Sequence, residues 1–287
     1  MDEAVVRIPA RFASGSRAPV SVVIPCYRCT GTIDAAVASV CAQTLLPVEV
    51  VLVDDCSGDQ TLDRLETLAS WYPPSWIKVV PLRSNGGAAC ARNAGWRVAQ
   101  GDYIAFLDAD DTWSPHKLQL QMAVLKADPS VALIAHRMQV LSRTTCLPPL
   151  RYPVRTEILP RQRFLMNNPV PTASAVVRAD LPFRFNENFR RVEDFLLWAQ
   201  IGLSGYRCAK INQVLAAWHK PTYGAGGLSE DLNAMQKASR EVTIELCRQG
   251  LMNPAERYFA RSICKCIRAR RRLVTLHRRM AGGMGLQ

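Results

Sequence analysis

Between Val20 and Leu107 short apolar runs alternate with segments of helical period, and this alternation narrows the possible folds more than any other feature of the chain. Val20 to Ile24, Val48 to Val53, Ile77 to Leu82 and Tyr103 to Leu107 read as four buried strands. Between them, Ile33, Ala36, Val37 and Val40 recur at helical spacing behind a candidate N-cap at Thr32. Leu62, Leu65 and Leu68 mark a second helix, and Ala88 to Ala99 a third. Strands separated by helices pair in parallel through crossover connections, which cover both faces of the sheet. The expected class is α/β, a mostly parallel sheet flanked by helices.

Beyond Leu107 the period is less regular. A helix from about Pro115 to Ala127 and a strand from Val131 to Val140 precede a stretch broken by Pro148, Pro149, Pro153, Pro160, Pro169 and Pro171. Ala173 to Val177 then reads as a strand, Val192 to Leu203 as a helix, and Val214 to Trp218 as a strand leading into Gly224-Ala225-Gly226-Gly227, a glycine cluster suited to a lid. Two helices, from about Ser229 to Gln249 and Pro254 to His277, form a C-terminal helical extension. The expected division is an N-terminal extension over 1–17, a main domain over 18–228 and a helical region over 229–287.

At 287 residues and 48% hydrophobic content the chain can bury a sizeable core, and no run of 18 apolar residues offers a transmembrane helix. Residues 1–17 carry Asp2 and Glu3 and lack the apolar stretch of a signal peptide, so a cytoplasmic location is expected, peripheral at the inner face of the membrane if the tail binds there. The ten cysteines then read as reduced thiols; Cys26 and Cys29 form a CxxC, and Cys264 and Cys266 a CxC, without a partner motif at zinc-site spacing.

The net charge of +12 is unevenly spread. Nine of the 36 Lys and Arg fall between Arg257 and Arg279, with no acid among them, leaving 27 against 24 in the rest. A nucleic-acid function built on the whole surface therefore loses its support. In the tail helix, Phe259, Ile263, Cys266, Ile267 and Val274 make an apolar stripe among basic residues. Such a helix either lies on an anionic membrane, here over residues 254–279, or packs on the domain with its basic face solvated.

In open α/β sheets ligands bind beyond the carboxyl ends of the strands, and the polar groups of this chain gather there. Pro25-Cys26-Tyr27 follows the first strand, Asp54-Asp55 the second, Ser84-Asn85-Gly86-Gly87 the third and Asp108 to Asp111 the fourth. Asp108-Ala109-Asp110 presents hard oxygen ligands for Mg²⁺ or Mn²⁺, a cation that completes its shell with substrate phosphate oxygens. Capping of the next helix accounts for Asp111 or Ser114 but gives Asp108 and Asp110 no reason to face one another. A carboxylate of Asp54-Asp55 can accept from a base N–H or a ribose hydroxyl, while Ser57 and Asp59 serve the local turn. Tyr27 is able to stack on a base or simply to pack at the surface. Asn85-Gly86-Gly87 alone is only a turn; Arg92, on the first turns of the next helix, gives it a reach toward a nucleotide. Glu193-Asp194 opens an apolar helix, where adjacent acids serve either the helix dipole or general-base catalysis.

Taken in order, VSVVIPCY (Val20 to Tyr27), VVLVDDCS (Val50 to Ser57), NGGAACARNAG (Asn85 to Gly95), GDYIAFLDADDTWSPHKL (Gly101 to Leu118) and VED (Val192 to Asp194) resemble the family 2 glycosyltransferases of GT-A fold. The resemblance is dense from 18 to about 125 and sparse to about 220. It implies a Rossmann-like GT-A domain that transfers a sugar from a nucleoside diphosphate sugar, with UDP as the expected nucleotide, and inverts the anomeric centre. By position it implies Asp55 on the base with Pro25 and Tyr27 packed around it and Asn85 and Arg92 nearby. It further implies Asp108 on the ribose or donor side, Asp110 on Mn²⁺ or Mg²⁺, Asp194 as catalytic base and Glu193 orienting the acceptor or the adjacent backbone. His219, before the glycine cluster, would add a metal or phosphate contact in such an enzyme, or be an ordinary loop histidine. Cys26 and Cys29 replace polar residues common in relatives. The absence of a QxxRW motif and of transmembrane helices disfavours a processive synthase and points to single-sugar transfer, in cell-surface polysaccharide or glycolipid synthesis, to a hydroxyl acceptor such as a lipid-linked saccharide.

Two other classes fit less well. A sugar nucleotidyltransferase carries a glycine- and Lys/Arg-rich loop after its first strand, where this chain has Pro25-Cys26-Tyr27-Arg28. A binding module on a dead transferase fold would have no use for Asp55, Asp110 and Asp194 together.

Overall fold

β-branched residues crowd the first strand, and their burial alternates with the pleat. In the computed structural model, which describes residues 17–142, 144–219, 232–260 and 262, β1 (Ala18–Cys26) sends Val20, Val22 and Ile24 to one apolar cluster and Val23 to another. β2 (Pro47–Asp54) does the same with Val50 and Leu52 against Val51 and Val53. A strand buried on both faces needs a helical layer on each side. One side is supplied by α1 (Ile33–Cys41), α2 (Thr61–Ser70) and α4 (Lys117–Ala127), through Val37, Leu65 and Leu118. The other is supplied by α3 (Ala88–Val98), α5 (Arg161–Met166), α6 (Glu193–Leu203) and α7 (Leu232–Arg248), through Trp96, Phe164, Trp198 and Leu246. Each large aliphatic side chain so covered is worth about 1.5–3 kcal/mol.

The sheet of the described residues has nine strands, completed by β3 (Ile77–Pro81), β4 (Tyr103–Phe106), β5 (Thr112–Trp113), β6 (Val131–Val140), β7 (Thr156–Ile158), β8 (Val176–Arg178) and β9 (Arg207–Trp218). Their order is β3-β2-β1-β4-β8-β6-β9-β5, with β7 also on β9. The four strands of the regular alternation are mutually parallel, as expected. Past β4 the sheet becomes mixed: β8 runs antiparallel to β4 and β6, and β9 pairs parallel to β6 but antiparallel to β5 and β7. The order reverses at β1, between β2 and β4, which opens a crevice at their carboxyl ends. α3 approaches that crevice closely because it is built from small residues; a Cβ on Gly95 would sit 2.4 Å from Val23 Cγ1.

Several boundaries move from the sequence reading. α4 begins at Lys117 rather than near Pro115, and Thr32 makes no side-chain cap, its hydroxyl donating instead to Cys29 O. The stretch 173–177 is a single 3-10 turn, Thr172–Ser174, followed by β8, because Gln121 and Trp113 claim the carbonyls a strand would have used in its ladder. β9 starts at Arg207, seven residues before the expected Val214, and β5, β7 and α5 were not foreseen. The chain after α7 is helical again over 254–260, where Ala260 is buried in the second cluster. The glycine cluster and the tail beyond 262 lie outside the described residues, as does most of the stretch expected on a membrane. Among the described residues no helix is long and apolar enough to cross a membrane.

Candidate active site

At the end of β2 the two aspartates part company. Asp54 is buried and turns back into its own loop, accepting from the Ser57 hydroxyl and, at 3.4 Å, from Ser57 N. Asp59 accepts from Thr61 N at 2.9 Å and starts α2. Asp55, also buried, spans to the loop after β3, accepting from Gly86 N at 2.8 Å and Gly87 N at 2.7 Å, while Asn85 Nδ2 donates to its carbonyl at 3.0 Å. The double glycine is needed here: a Cβ at Gly86 would meet Cys90 Cβ at 2.6 Å, and Gly87 takes φ of 83°. Asp55 thus joins two strand ends with two of its roughly four acceptor positions. Beside it Tyr27 is exposed, with the Arg28 guanidinium 5.2 Å from its ring centroid.

Arg92 departs from expectation. Its guanidinium is buried, with Nη1 donating to Glu193 at 2.9 Å and Nη2 to Asp108 at 2.7 Å, and it lies 5.3 Å from the Phe185 ring centroid. A cation this far from water takes carboxylates as partners, so Arg92 clamps β4 to α6 instead of reaching toward a nucleotide. Burial opposes its charge, but Asp108 and Glu193 more than compensate, and its pKa is raised. Glu193 is spent on the same clamp. The two acids, far apart in sequence, are brought together by one side chain.

Asp194 follows directly. Its Oδ2 accepts from Asn168 Nδ2 at 2.8 Å and from the Thr172 hydroxyl at 2.9 Å, and Oδ1 accepts from Phe195 N at 2.7 Å. Burial first, then the charge of Glu193, pushes its pKa up to about 6, against the pull of Arg92 and Thr172. A carboxylate in that range suits a general base at neutral pH. The helix that carries it begins in strain: Val192, its N-cap, has φ of 54°, in the left-handed region that a β-branched residue rarely enters. Asn168 and Thr172 were missed by sequence reasoning. They sit in the proline-rich stretch without period, and nothing in their type or spacing marks them.

The acidic turn after β4 closes with Asp111 N donating to Asp108 O at 3.0 Å, which leaves Asp108 and Asp110 half-buried at the crevice. Among the described residues no three His, Cys, Asp or Glu side chains gather into a ligand set. A Mg²⁺- or Mn²⁺-type cation needs no such set, since it is held by one or two carboxylates and by substrate phosphates. His219 ends β9, its Nδ1 3.2 Å from Leu141 O and its Nε2 2.8 Å from Thr112 Oγ1. Since a carbonyl only accepts, Nδ1 carries the proton and Nε2 presents its lone pair two residues past Asp110 in sequence. His219 also walls a cavity of about 720 Å³ with Trp113, His116, Pro148, Leu150 and Tyr152, which neither Asp55 nor Asp194 lines.

Comparison with known proteins agrees with this geometry. The family model described as Glycosyl transferase family 2 matches residues 21–179. The succinoglycan biosynthesis protein ExoO of Rhizobium meliloti (strain 1021) is 33% identical over 204 residues, 66% of this chain and 57% of that protein. The Escherichia coli UDP-Glc:alpha-D-GlcNAc-diphosphoundecaprenol beta-1,3-glucosyltransferase WfgD is 29% identical over 182 residues, 63% of this chain and 69% of that protein. The chain spans 36% of another curated relative, so less than two thirds of that protein and of ExoO. The mannosyltransferase PcManGT from Pyrobaculum calidifontis, solved with GDP-Man and Mn²⁺, aligns at TM-score 0.61 and 18% identity, over 94% of this chain and 81% of that one. That likeness shows the fold, which is GT-A.

Proposed function

The chain belongs to glycosyl transferase family 2, and from that premise we propose that it moves a single sugar from a nucleoside diphosphate sugar to an acceptor hydroxyl with inversion. UDP sugars are the proposed donors, and cell-surface polysaccharide or lipid-linked saccharide is the proposed product. WfgD's name, with its UDP-glucose donor and lipid-diphosphate acceptor, and ExoO's name, with its polysaccharide, support those choices.

The observation that carries the reading is Asp194, a carboxylate with its pKa pushed up to about 6, oriented on Oδ2 by two side-chain donors at a crevice of strand-end acids. At pH 7 such a group is about nine-tenths ionised, yet basic enough to take the proton of an acceptor hydroxyl as the oxygen attacks the anomeric carbon. The bond to the diphosphate breaks on the opposite face, and the product is inverted. Glu193, already paired with Arg92, fixes the start of α6 rather than sharing the proton. Asp55, with acceptor positions to spare, takes a base N–H, and the exposed Tyr27 ring stacks on the base beside Pro25. Asn85 holds the loop that Asp55 needs. Asp110, with Asp108 beside it, would hold Mn²⁺ or Mg²⁺; His219 would join as a nitrogen ligand only by giving up the Nε2 contact to Thr112 Oγ1. Such a cation supplies charge stabilisation to the departing diphosphate. The same chain is proposed to act at the inner face of the membrane through the basic residues of 254–279.

Asp194→Asn tests the reading. Transfer from UDP-sugar should fall at least 1,000-fold, on the order expected for a lost general base combined with a lost charge, while UDP binding by calorimetry changes less than about twofold. Retained turnover would remove Asp194 from its role. In the same assay Asp110→Asn should weaken UDP binding only when Mn²⁺ is present.

A further inference from the structure

The fold buries a lysine that, among the described residues, makes no ion pair, and the reason for it is not in the mechanism above. Lys117, on the first turn of α4, is fully buried, and among the described residues no carboxylate lies within ion-pair distance of it. Burial holds its pKa well below the usual lysine range. An unpaired amine in a core is costly, so an apolar residue would serve packing better. What Lys117 does instead is hold two side chains. Its Nζ lies 3.8 Å from the Trp113 ring centroid and donates to Gln121 Oε1 at 2.8 Å.

Both held groups reach the same turn. Trp113 Nε1 donates to Ala173 O at 2.8 Å, and Gln121 Nε2 donates to Ser174 O at 2.9 Å and to Ile134 O at 3.2 Å. The direction of the Gln121 amide follows from the two carbonyls, which can only accept: Nε2 faces Ser174 O and Ile134 O, and Oε1 is left to accept from Lys117 Nζ. Two consecutive carbonyls of Thr172–Ser174 are thereby fixed from β5 and α4, and the first residue of that turn donates to Asp194 Oδ2 at 2.9 Å. β5 itself continues from the acidic turn that contains Asp108 and Asp110.

We propose that Trp113, Lys117 and Gln121 are positioning residues that hold Thr172, and through it the carboxylate of Asp194, in register with the acidic turn after β4. The inference rests on Asp194 being the general base. The charged groups facing that carboxylate are Glu193 on its own helix, Arg92 from α3 and, across Arg92, Asp108 from the end of β4. Around Lys117 the titratable neighbour is His136 on β6, buried, with Nδ1 2.8 Å from Arg137 O.

The test uses near-isosteric changes. Gln121→Glu keeps an acceptor for Lys117 but removes the amide donor to Ser174 O in the turn and to Ile134 O on β6, and Trp113→Phe removes the indole N–H. Thr172→Val removes the hydroxyl at Asp194, whereas Thr172→Ser keeps it. Gln121→Glu, Trp113→Phe and Thr172→Val should each lower kcat about tenfold, the scale of one hydrogen bond to a charged group, with the donor KM changed less than about twofold. The acid limb of the kcat/KM profile should move to higher pH in all three, because the ionised carboxylate has lost a donor, and Thr172→Ser should restore the wild-type limb. Should the core variants not fold, Thr172→Val against Thr172→Ser decides alone. An acid limb unmoved in Thr172→Val, or equal losses in kcat and KM in the core variants, would overturn the proposal. Turnover retained in Asp194→Asn would instead overturn the base assignment itself, so the two failures are distinguishable.

Discussion

Replacing Asp194 by Asn should stabilise the protein at neutral pH and above, by an amount that shrinks and then changes sign as pH falls. Burial and Glu193 push the native carboxyl up to about 6 from an ordinary 3.8. At about 1.36 kcal/mol per pH unit, that difference corresponds to about 3 kcal/mol by which the ionised native site is disfavoured. The native value lies above the unfolded one, so stability is full below about pH 4 and is lost as pH rises through about 6. Asparagine has no charge to lose. It does lose acceptor capacity toward Asn168, Thr172 and Phe195 N, at a cost of about 1–2 kcal/mol that is the same at every pH. The two effects separate in the pH dependence. Between pH 4 and pH 8, the stability difference between variant and wild type should move in the variant's favour by about 2–3 kcal/mol, read from urea denaturation at each pH with the slopes compared. A difference that stays constant, or moves the other way, would refute the view that this acid is held ionised against its surroundings for the sake of the reaction.

Other substitutions bear on the same scaffold. Arg92→Met should cost about 3 kcal/mol in urea denaturation at pH 7, because Asp108 and Glu193 lose their shared cation while Glu193 stays buried; a loss below about 1 kcal/mol would show that the clamp is ornamental. Val192→Gly should raise the melting temperature by a few degrees, since glycine relieves about 1 kcal/mol or more of strain at φ of 54°, and an unchanged or lower midpoint would show that the residue is not strained. Changing Arg268, Arg270, Arg271 and Arg272 together to Gln should weaken co-sedimentation with anionic vesicles by at least tenfold, at about 1 kcal/mol per charge, and leave neutral vesicles unaffected; equal binding would exclude the tail as an anchor.

The parts of this protein that were legible in the sequence are those set by local pattern. Val20 to Ile24 and Val48 to Val53 are dense in β-branched residues and bounded by proline or aspartate, so their strands and the acids at their ends could be placed. β5 is two residues long and β7 three, too short to show a period, and both exist because β9 offers them an edge. The 3-10 turn at Thr172–Ser174 reads as a strand because Ala173 and Val176 to Val177 are apolar, and it is tertiary bonds from Trp113 and Gln121 that decide otherwise. Lys117 illustrates the limit from the other side. By composition it belongs to a solvated helix face, and only the closing of α4 over Trp113 puts it in the core.

The same division runs through the site. Asp55, Asp108 and Asp110 follow strand ends and Asp194 opens α6, positions that a chain read once can yield. How each acid behaves there is decided by groups from elsewhere in the chain. Arg92 draws Asp108 and Glu193 into one buried cluster, three carboxylates with Asp194 counted against a single cation. Burial, with the excess negative charge, keeps Asp194 basic, and Arg92, the Thr172 hydroxyl and Phe195 N keep it from rising so far that it would be protonated at neutral pH. A base with a pKa near 6 is therefore a balance between burial and Glu193 on one side and Arg92, Thr172 and Phe195 N on the other. Neither Arg92, which donates to Glu193, nor Asn168 and Thr172, which donate to Asp194, are recognisable by residue type alone, because arginine, asparagine and threonine are common at surfaces, and only their convergence on one helix start gives them a role.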